Sequence, residues 1–355
     1  MPSATEVAER VWYGADALAS MARGALAPAA ALYGAAIARR NAGYDRGEGV
    51  VRGAIPALSV GNLTVGGTGK TPVSAWFVAQ SLAAGARPAL VLRGYGDDEP
   101  AVHARLNPAA RVIADADRVA GIAAAARAGC DCAVLDDAFQ HRRAAREVDV
   151  VLVSVDRWRD DVRLLPAGPF REPLAALARA SLVVLTEKAP PPGARERVRA
   201  AVSRVTRAPV AVVSLAAGRL RPLTEDASAD AGASRPLASL AGRRVLAVSA
   251  IGDPGAFHRQ LAGAGLTVAP LVFPDHHVYT SADVTRIVAA AGDAPVVCTL
   301  KDAVKLAPRW PAGGAPAAWY LWQHVVPVDG AEALSAAVRA LLAARGPSGG
   351  VPSSP

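Results

Sequence analysis

A doubly wound α/β fold carrying a phosphate-binding loop, followed by a second, smaller α/β/α domain, is what this chain predicts. Three observations predict it. An apolar strand at 57–60 runs through the turn Gly66-Gly67-Thr68-Gly69-Lys70-Thr71 into an amphipathic segment. Short apolar runs then alternate with helical stretches, the pattern of a mostly parallel sheet layered by helices. The alternation stops at 215–236, where Ala, Ser, Asp and Pro dominate, and then resumes.

The turn explains itself chemically. Glycines let successive backbone N–H groups converge on a polyphosphate. The helix that follows points its positive end at the same anion. Thr64 to Gly69 (Thr64, Val65, Gly66, Gly67, Thr68, Gly69) would cradle the phosphates. Lys70 would reach the β- and γ-phosphates, and Thr71 would offer its hydroxyl to Mg²⁺. Pro72 suits the first helical turn, where no N–H is needed. The strict pattern has glycine six residues before the lysine, and this chain has Thr64 there. Nucleoside triphosphate binding, with Mg²⁺, is the first functional expectation.

The other elements follow in order. Residues 1–40 are rich in Ala and Leu, with Trp12, Tyr13 and Tyr33, and arginines at intervals. The longest uncharged run, 24–38, falls short of the roughly 20 residues that span a bilayer, and Pro28 interrupts it. Glu6 and Glu9 spoil the basic start of a secretory signal. Two readings stay open: a helix packed on the domain, or one lying in a membrane interface with its arginines near lipid phosphates. A helix over 71–84 follows the loop, then strands at 88–92 and 111–114 and a helix over 117–128. A strand over 130–135 ends in Asp136-Asp137, the pattern that sets a carboxylate beside the metal at the sheet's carboxyl edge. Strands at 148–153 and 180–185 bracket a proline-punctuated loop at 164–173, and a basic helix covers 194–205. After the connector come strands at 244–250, 267–273 and 295–299, helices at 256–264 and 281–291, another opened by Lys301-Asp302, and a closing strand end and helix over 325–344. The expected boundaries are 1–40 for the N-terminal helix region, 41–214 for the P-loop domain, 215–236 for the linker, 237–345 for the second domain with the C-terminal helix, and 346–355 for a disordered tail.

The net charge of +8 over 355 residues is carried mostly by arginine, which suits phosphate-bearing partners. No zinc-finger spacing or aromatic-rich pattern points to nucleic acid, and no obligate protein partner is evident. The cysteines Cys130, Cys132 and Cys298 lie in apolar runs and read as buried free thiols of a reducing compartment.

Seven stretches together resemble the tetraacyldisaccharide 4′-kinase family of lipid A synthesis: SVGNLTVGGTGKTP (59–72), RGYG (93–96), DEP (98–100), ADR (116–118), LDDAFQHR (135–142), LLPAGPFREP (164–173) and FPDH (273–276). They span most of the chain in the family's order, and the combination is far more specific than the P-loop alone. The resemblance implies two α/β/α domains, ATP at the first and a lid-like second. It implies transfer of the γ-phosphoryl group to the 4′-hydroxyl of an acylated, 1-phosphorylated glucosamine disaccharide, giving lipid IVA. The acceptor would be met by peripheral contact at the cytoplasmic face of the inner membrane. Asp98 would be the base that takes the hydroxyl proton, with His276 hydrogen-bonded to it. Arg118 and Arg171 would stabilise charge or bind lipid phosphate, and Asp136 and Asp137 would serve Mg²⁺ with Thr71. The chain departs from the family at Ala138, where glycine is usual, and after Gly96, where a longer insert is common. Two rivals are a P-loop kinase or ligase of a soluble metabolite, against which the apolar N-terminal arm argues, and a GTP-switched metal-delivery chaperone. For the latter no Asn-Lys-x-Asp base-reading motif appears; Thr186-Glu187-Lys188 is a faint echo.

Overall fold

A computed structural model describes residues 4–94, 98–224, 234–252, 254–274, 277–311, 313 and 315–345. The chain forms two compact units, one of Met1–Arg93, Ala109–Leu215 and Val325–Pro355, the other of Gly94–Pro108 and Ala216–His324. The expected tail, and most of the second half of the expected connector, lie outside the described residues.

The first unit opens with helices α1 (Ala4–Tyr13) and α2 (Ala17–Asp45). Its sheet contains β1 (Ala57–Asn62), β2 (Pro88–Leu92), β3 (Arg111–Ala114), β4 (Cys132–Asp136), β5 (Val148–Ser154), β6 (Leu182–Glu187) and the start of β7 (Val210–Pro222). Their order is β7-β6-β5-β1-β4-β2-β3, and every neighbouring pair is parallel. This is the expected doubly wound sheet, with β1 central and buried along its whole length. One face packs Leu58 and Val60 against Val73 and Phe77 of α3 (Lys70–Ala83) and against Leu334, Val338 and Leu341 of α10 (Ala331–Ala343). The other face packs Val183 and Leu185 against Val198 and Val202 of α6 (Ala194–Ser203), and Val91 and Leu135 against Ile122 of α5 (Arg118–Arg127). A fully buried side chain such as Phe77 contributes about 1.5–3 kcal/mol.

Two expectations change here. Pro28 does not interrupt α2, which runs unbroken for 29 residues from an N-cap in which Asp16 accepts the Ala19 N–H at 2.9 Å. At 1.5 Å per residue that is about 43 Å. By length and composition α2 could cross a bilayer, and only 6% of its most apolar window is buried within the protein. The expected end at residue 40 also falls short, because the last turn continues to Asp45. Secondly, α10 packs on the first unit rather than with the second domain, because its apolar stripe faces the β1 layer.

The second unit pairs β9 (Arg244–Ser249), β10 (Thr267–Val272), β11 (Val296–Cys298) and β12 (Ala318–Asp329) in the order β10-β9-β11-β12, all parallel. The far end of β7 takes β8 (Arg235–Pro236) antiparallel. Helices α7 (Pro254–Gly263), α8 (Ser281–Ala291) and α9 (Leu300–Leu306) cover the sheet, giving one core around Val248, Phe273, Tyr279 and Ile287 and another around Val245, Phe257, Leu261 and Leu321. Residues 215–222, expected as connector, continue β7; Leu220 is fully buried in the second of these cores. Helix α4 (Asp98–Leu106) is absent from the sequence reading, and its residues, expected in the 41–214 domain, belong to this unit. Its Arg105 donates to the Leu223 carbonyl at 2.8 Å and stacks 4.8 Å over Tyr320.

The cysteines are free, as expected; Cys132 and Cys298 are buried, whereas Cys130, just before β4, is only half-buried. Burial pushes the Cys132 thiol up to about 12, which keeps it protonated and unreactive.

Candidate phosphate-binding site

The first unit assembles the site where β1 and β4 end side by side. Val60 pairs with Asp136 across these strands, so Asn62 and the acidic pair reach the same sheet edge. Between β1 and α3 the chain turns through Gly66 and Gly69, both left-handed with φ of 106° and 86°. Val65, Gly66 and Gly67 are exposed at the tip, while Thr68 is buried beneath them. Thr68 anchors the loop twice: its hydroxyl accepts from Asn62 Nδ2 at 2.7 Å, and its carbonyl accepts from Thr186 Oγ1 at 2.8 Å. Thr64 stands outside the left-handed region and bridges antiparallel to Phe170, while Val65 N–H donates to the Pro169 carbonyl at 2.8 Å. That pairing is why the position needs no glycine.

A Cβ on Gly69 would lie 2.4 Å from Leu215 Cδ1. Gly69→Ala combines that clash with a left-handed backbone costing about 1–2 kcal/mol. It should lower the melting temperature and weaken ATP binding about tenfold or more, read by calorimetry; parent-like values for both would show that the turn is more forgiving than its geometry implies.

Charge is concentrated behind the loop. Lys70 Nζ lies 3.4 Å from Asn62 Oδ1 and 3.8 Å from Asp137 Oδ1. Arg171 closes on the same carboxylate, Nη2 to Oδ1 at 2.8 Å and Nη1 to Oδ2 at 3.3 Å, and also donates to the Asn62 carbonyl at 3.2 Å and to Asn62 Oδ1. Burial pulls the Asp137 carboxyl upward, but Lys70 and Arg171 outweigh it and hold the group below the usual carboxylate range. Asp137 adopts φ of 47°, a conformation aspartate tolerates better than most residues. Asp136 is buried, and its Oδ1 accepts from Ser74 Oγ at 2.7 Å, one helical turn beyond Thr71. Arg118, also buried, donates to the main-chain carbonyls of Asp115 at 2.9 Å and Asp136 at 3.0 Å. Burial lowers its pKa, and the charges of Asp136 and Asp137 oppose the shift. Ala138 lies fully buried in the β4 core, and Gly61 approaches so closely that a Cβ there would stand 2.6 Å from Phe139 Cβ.

The structure thus brings Lys70, Arg171, Asp137 and Asp136 together with the loop. Asp98 belongs to the second unit, as the first residue of α4, where its buried carboxylate lies 3.2 Å from Lys305 Nζ of α9. His276 lies outside the described residues. The flanks of its segment are anchored: His277 stacks 4.9 Å from Phe273 and bonds Asp283 at 3.0 Å, and Asp283 completes the capping box of α8 with Thr280. The sequence reading missed Ser74, Thr186 and Lys305 as partners, and Asn62 as the residue that links loop, lysine and arginine. Ser74 had a signal, the three-residue step from Thr71 that puts both on one helical face. Asn62 stood in the SVGN stretch; Thr186 and Lys305 meet their partners only through the tertiary fold.

Exposed glycines at a helix N-terminus, a lysine behind them and a paired acid at the edge of a parallel sheet define a P-loop protein that works on a nucleoside triphosphate. The profile of one family, described as Tetraacyldisaccharide-1-P 4'-kinase, matches residues 22–343. A Tetraacyldisaccharide 4'-kinase of Halorhodospira halophila is 38% identical over 340 residues, covering 90% of this chain and 92% of that relative. One of Anaeromyxobacter dehalogenans is 38% identical over 371 residues, covering 94% and 95%. Among solved structures, LpxK from Aquifex aeolicus in complex with ATP superposes with a TM-score of 0.70 at 27% identity, covering 90% of this chain and 99% of that one. The chain belongs to the tetraacyldisaccharide-1-P 4′-kinase family.

Proposed function

We propose that this protein is an ATP-dependent lipid kinase that transfers the γ-phosphoryl group of ATP to the 4′-hydroxyl of tetraacyldisaccharide 1-phosphate, forming lipid IVA in lipid A biosynthesis. The observation that carries the reading is the cluster of Lys70, Arg171 and Asp137 under the glycine loop, in a chain of this family. Phosphoryl transfer asks a protein mainly for positioning and charge neutralisation. The loop amides and Lys70 hold the β- and γ-phosphates. Arg171, next to Lys70 on the Asp137 carboxylate, supplies a second positive charge, and Arg118 fixes the main chain that carries the acids.

Thr71, Asp136 and Asp137 offer only oxygen donors, the set magnesium prefers, and Asp136 is held in place by Ser74. Bound there with the phosphates, magnesium would neutralise their charge. Asp98 takes the proton of the attacking hydroxyl, and His276 tunes it.

The acceptor lipid is reached by peripheral contact with the cytoplasmic face of the inner membrane. Leu18, Met21 and Leu32 are exposed and recur at helical spacing on one side of α2, while Arg23 and Ala30 are buried on the other, and Arg39 and Arg40 sit exposed near its end. Replacing Leu18, Met21 and Leu32 together with glutamate should release the protein from vesicles containing anionic lipid. Undiminished co-sedimentation would remove this face from the membrane.

The reading is tested by incubating purified protein with γ-labelled ATP and the disaccharide lipid. Label should move to the lipid. Label that stays in ATP, or appears as free phosphate at the same rate with and without lipid, would overturn it.

A further inference from the structure

Helix α2 does more than present an apolar stripe. Its opposite side is bonded into the two loops that carry Arg171 and Asp137. Tyr33 donates its hydroxyl hydrogen to the Arg171 carbonyl at 3.0 Å. Asn41 Nδ2 donates to Glu172 Oε2 at 2.6 Å, and Arg179 donates to the same oxygen at 2.9 Å. Glu172 is fully buried, so its carboxylate depends on these two donors. Arg179 in turn stacks 4.6 Å over Phe139, two residues after Asp137. On the acid loop, Arg142 donates to the Asn41 carbonyl at 2.9 Å and to Asp45 at 2.7 Å. The stretch 33–45 of α2 therefore grips the main chain of Arg171 and the residue beside it from one side, and the segment following Asp137 from the other.

We infer that Tyr33 and Asn41 are positioning residues for the kinase reaction: the helix that meets the membrane holds the Arg171 guanidinium against Asp137 and Asn62. The inference rests on the lipid-kinase reading. Arg171 Nη2 and Nη1 keep their place on Asp137 only while the peptide at 171–172 stays put. That peptide is tied to the loop start by Arg171 N–H on the Leu63 carbonyl at 2.6 Å and to α2 by Tyr33 and Asn41. Removing the Asn41 amide leaves a buried carboxylate short of a donor, and the cheapest relief is a shift of the main chain at Glu172, which carries its neighbour away from the phosphates.

The test is a double-mutant cycle on the full-length protein in detergent micelles. Tyr33→Phe and Asn41→Ala should each lower kcat, by about fivefold and about tenfold, with KM for the lipid and vesicle co-sedimentation at parent values. In an Arg171→Ala background neither should lower kcat further. Parent-like kcat in both single variants, or losses that multiply with that of Arg171→Ala, would overturn the inference, since a purely structural role acts independently of Arg171. Tyr33→Phe removes one oxygen only, so it decides the matter if Asn41→Ala fails to fold. ATP affinity by calorimetry is measured alongside. If the parent protein binds ATP yet labels no lipid, the kinase reading fails, and the positioning claim is judged on affinity: weaker in each single variant, unchanged by either substitution once Arg171 is gone.

Discussion

Lys70→Ala should lower ATP-dependent phosphorylation by about 10³-fold or more, the largest effect expected of any single substitution in the first unit. The lysine side chain is only 19% exposed and lies against Asn62 and Asp137, so its charge acts with little screening by water. Without it, a carboxylate that Lys70 and Arg171 now share faces incoming phosphates with one counter-charge fewer. The loss should therefore appear in ATP affinity as well as in turnover. A second signature follows from Asp137. Burial pushes its carboxyl up, and Lys70 leads the forces that hold it below the usual range. A depressed folded-state pKa keeps the group ionised down to low pH; removing the lysine lets that pKa rise, so the acid limb of any residual activity should move to higher pH. Lys70→Arg should restore little, because a planar fork does not replace a compact ammonium between the loop and the carboxylate. ATP-supported turnover at the parent rate in Lys70→Ala would dismantle the assignment of the loop.

The parts of this site that were legible in the sequence are those where chemistry is tied to backbone shape at short range. Gly66 and Gly69 do adopt the left-handed turn the motif requires, and the apolar run before Asp136-Asp137 does end beside β1. The motif's missing glycine at Thr64 was the misleading signal: the pattern encodes φ, and Thr64 is held in an extended bridge with Phe170 instead. What could not be read was settled by packing. Pro28 predicts a break, since it removes an N–H from the helix, yet the contacts of α2 on either side, Arg23 before it and Tyr33 and Asn41 after it, carry the helix through. Residues 215–222 are poor in strand formers, but Leu220 has a core to fill, so β7 continues. The alternation of strands and helices says that α10 exists but not which sheet it covers. Helix α4 did leave a trace that went unread: Asp98, Glu99 and Pro100 are suited to a first helical turn, where acids meet the positive end and proline has no N–H to lose.

Asp98→Asn separates the two things this carboxylate could do. The substitution keeps the shape and removes the charge and the proton-accepting power. As the base of the reaction, Asp98 should show a kcat about 10²- to 10⁴-fold lower, with KM for ATP and for lipid close to the parent. As a structural group, it is half of a buried pair: its side chain is 5% exposed, and Lys305, at 3.2 Å, is 15% exposed. Removing one partner of such a pair leaves an uncompensated buried charge and costs about 3–5 kcal/mol. The structural role alone therefore predicts a large fall in melting temperature and an activity loss that only follows the folded fraction. The catalytic role predicts a loss of turnover that persists when rates are divided by the amount of folded protein. Lys305→Met supplies the comparison, since it breaks the same pair while leaving the carboxylate in place: it should destabilise the second unit to a similar degree yet keep far more of the turnover per folded molecule. Equal specific activities for Asp98→Asn and the parent, after correction for folding, would leave Asp98 as an ion-pair residue and move the search for the base to another oxygen.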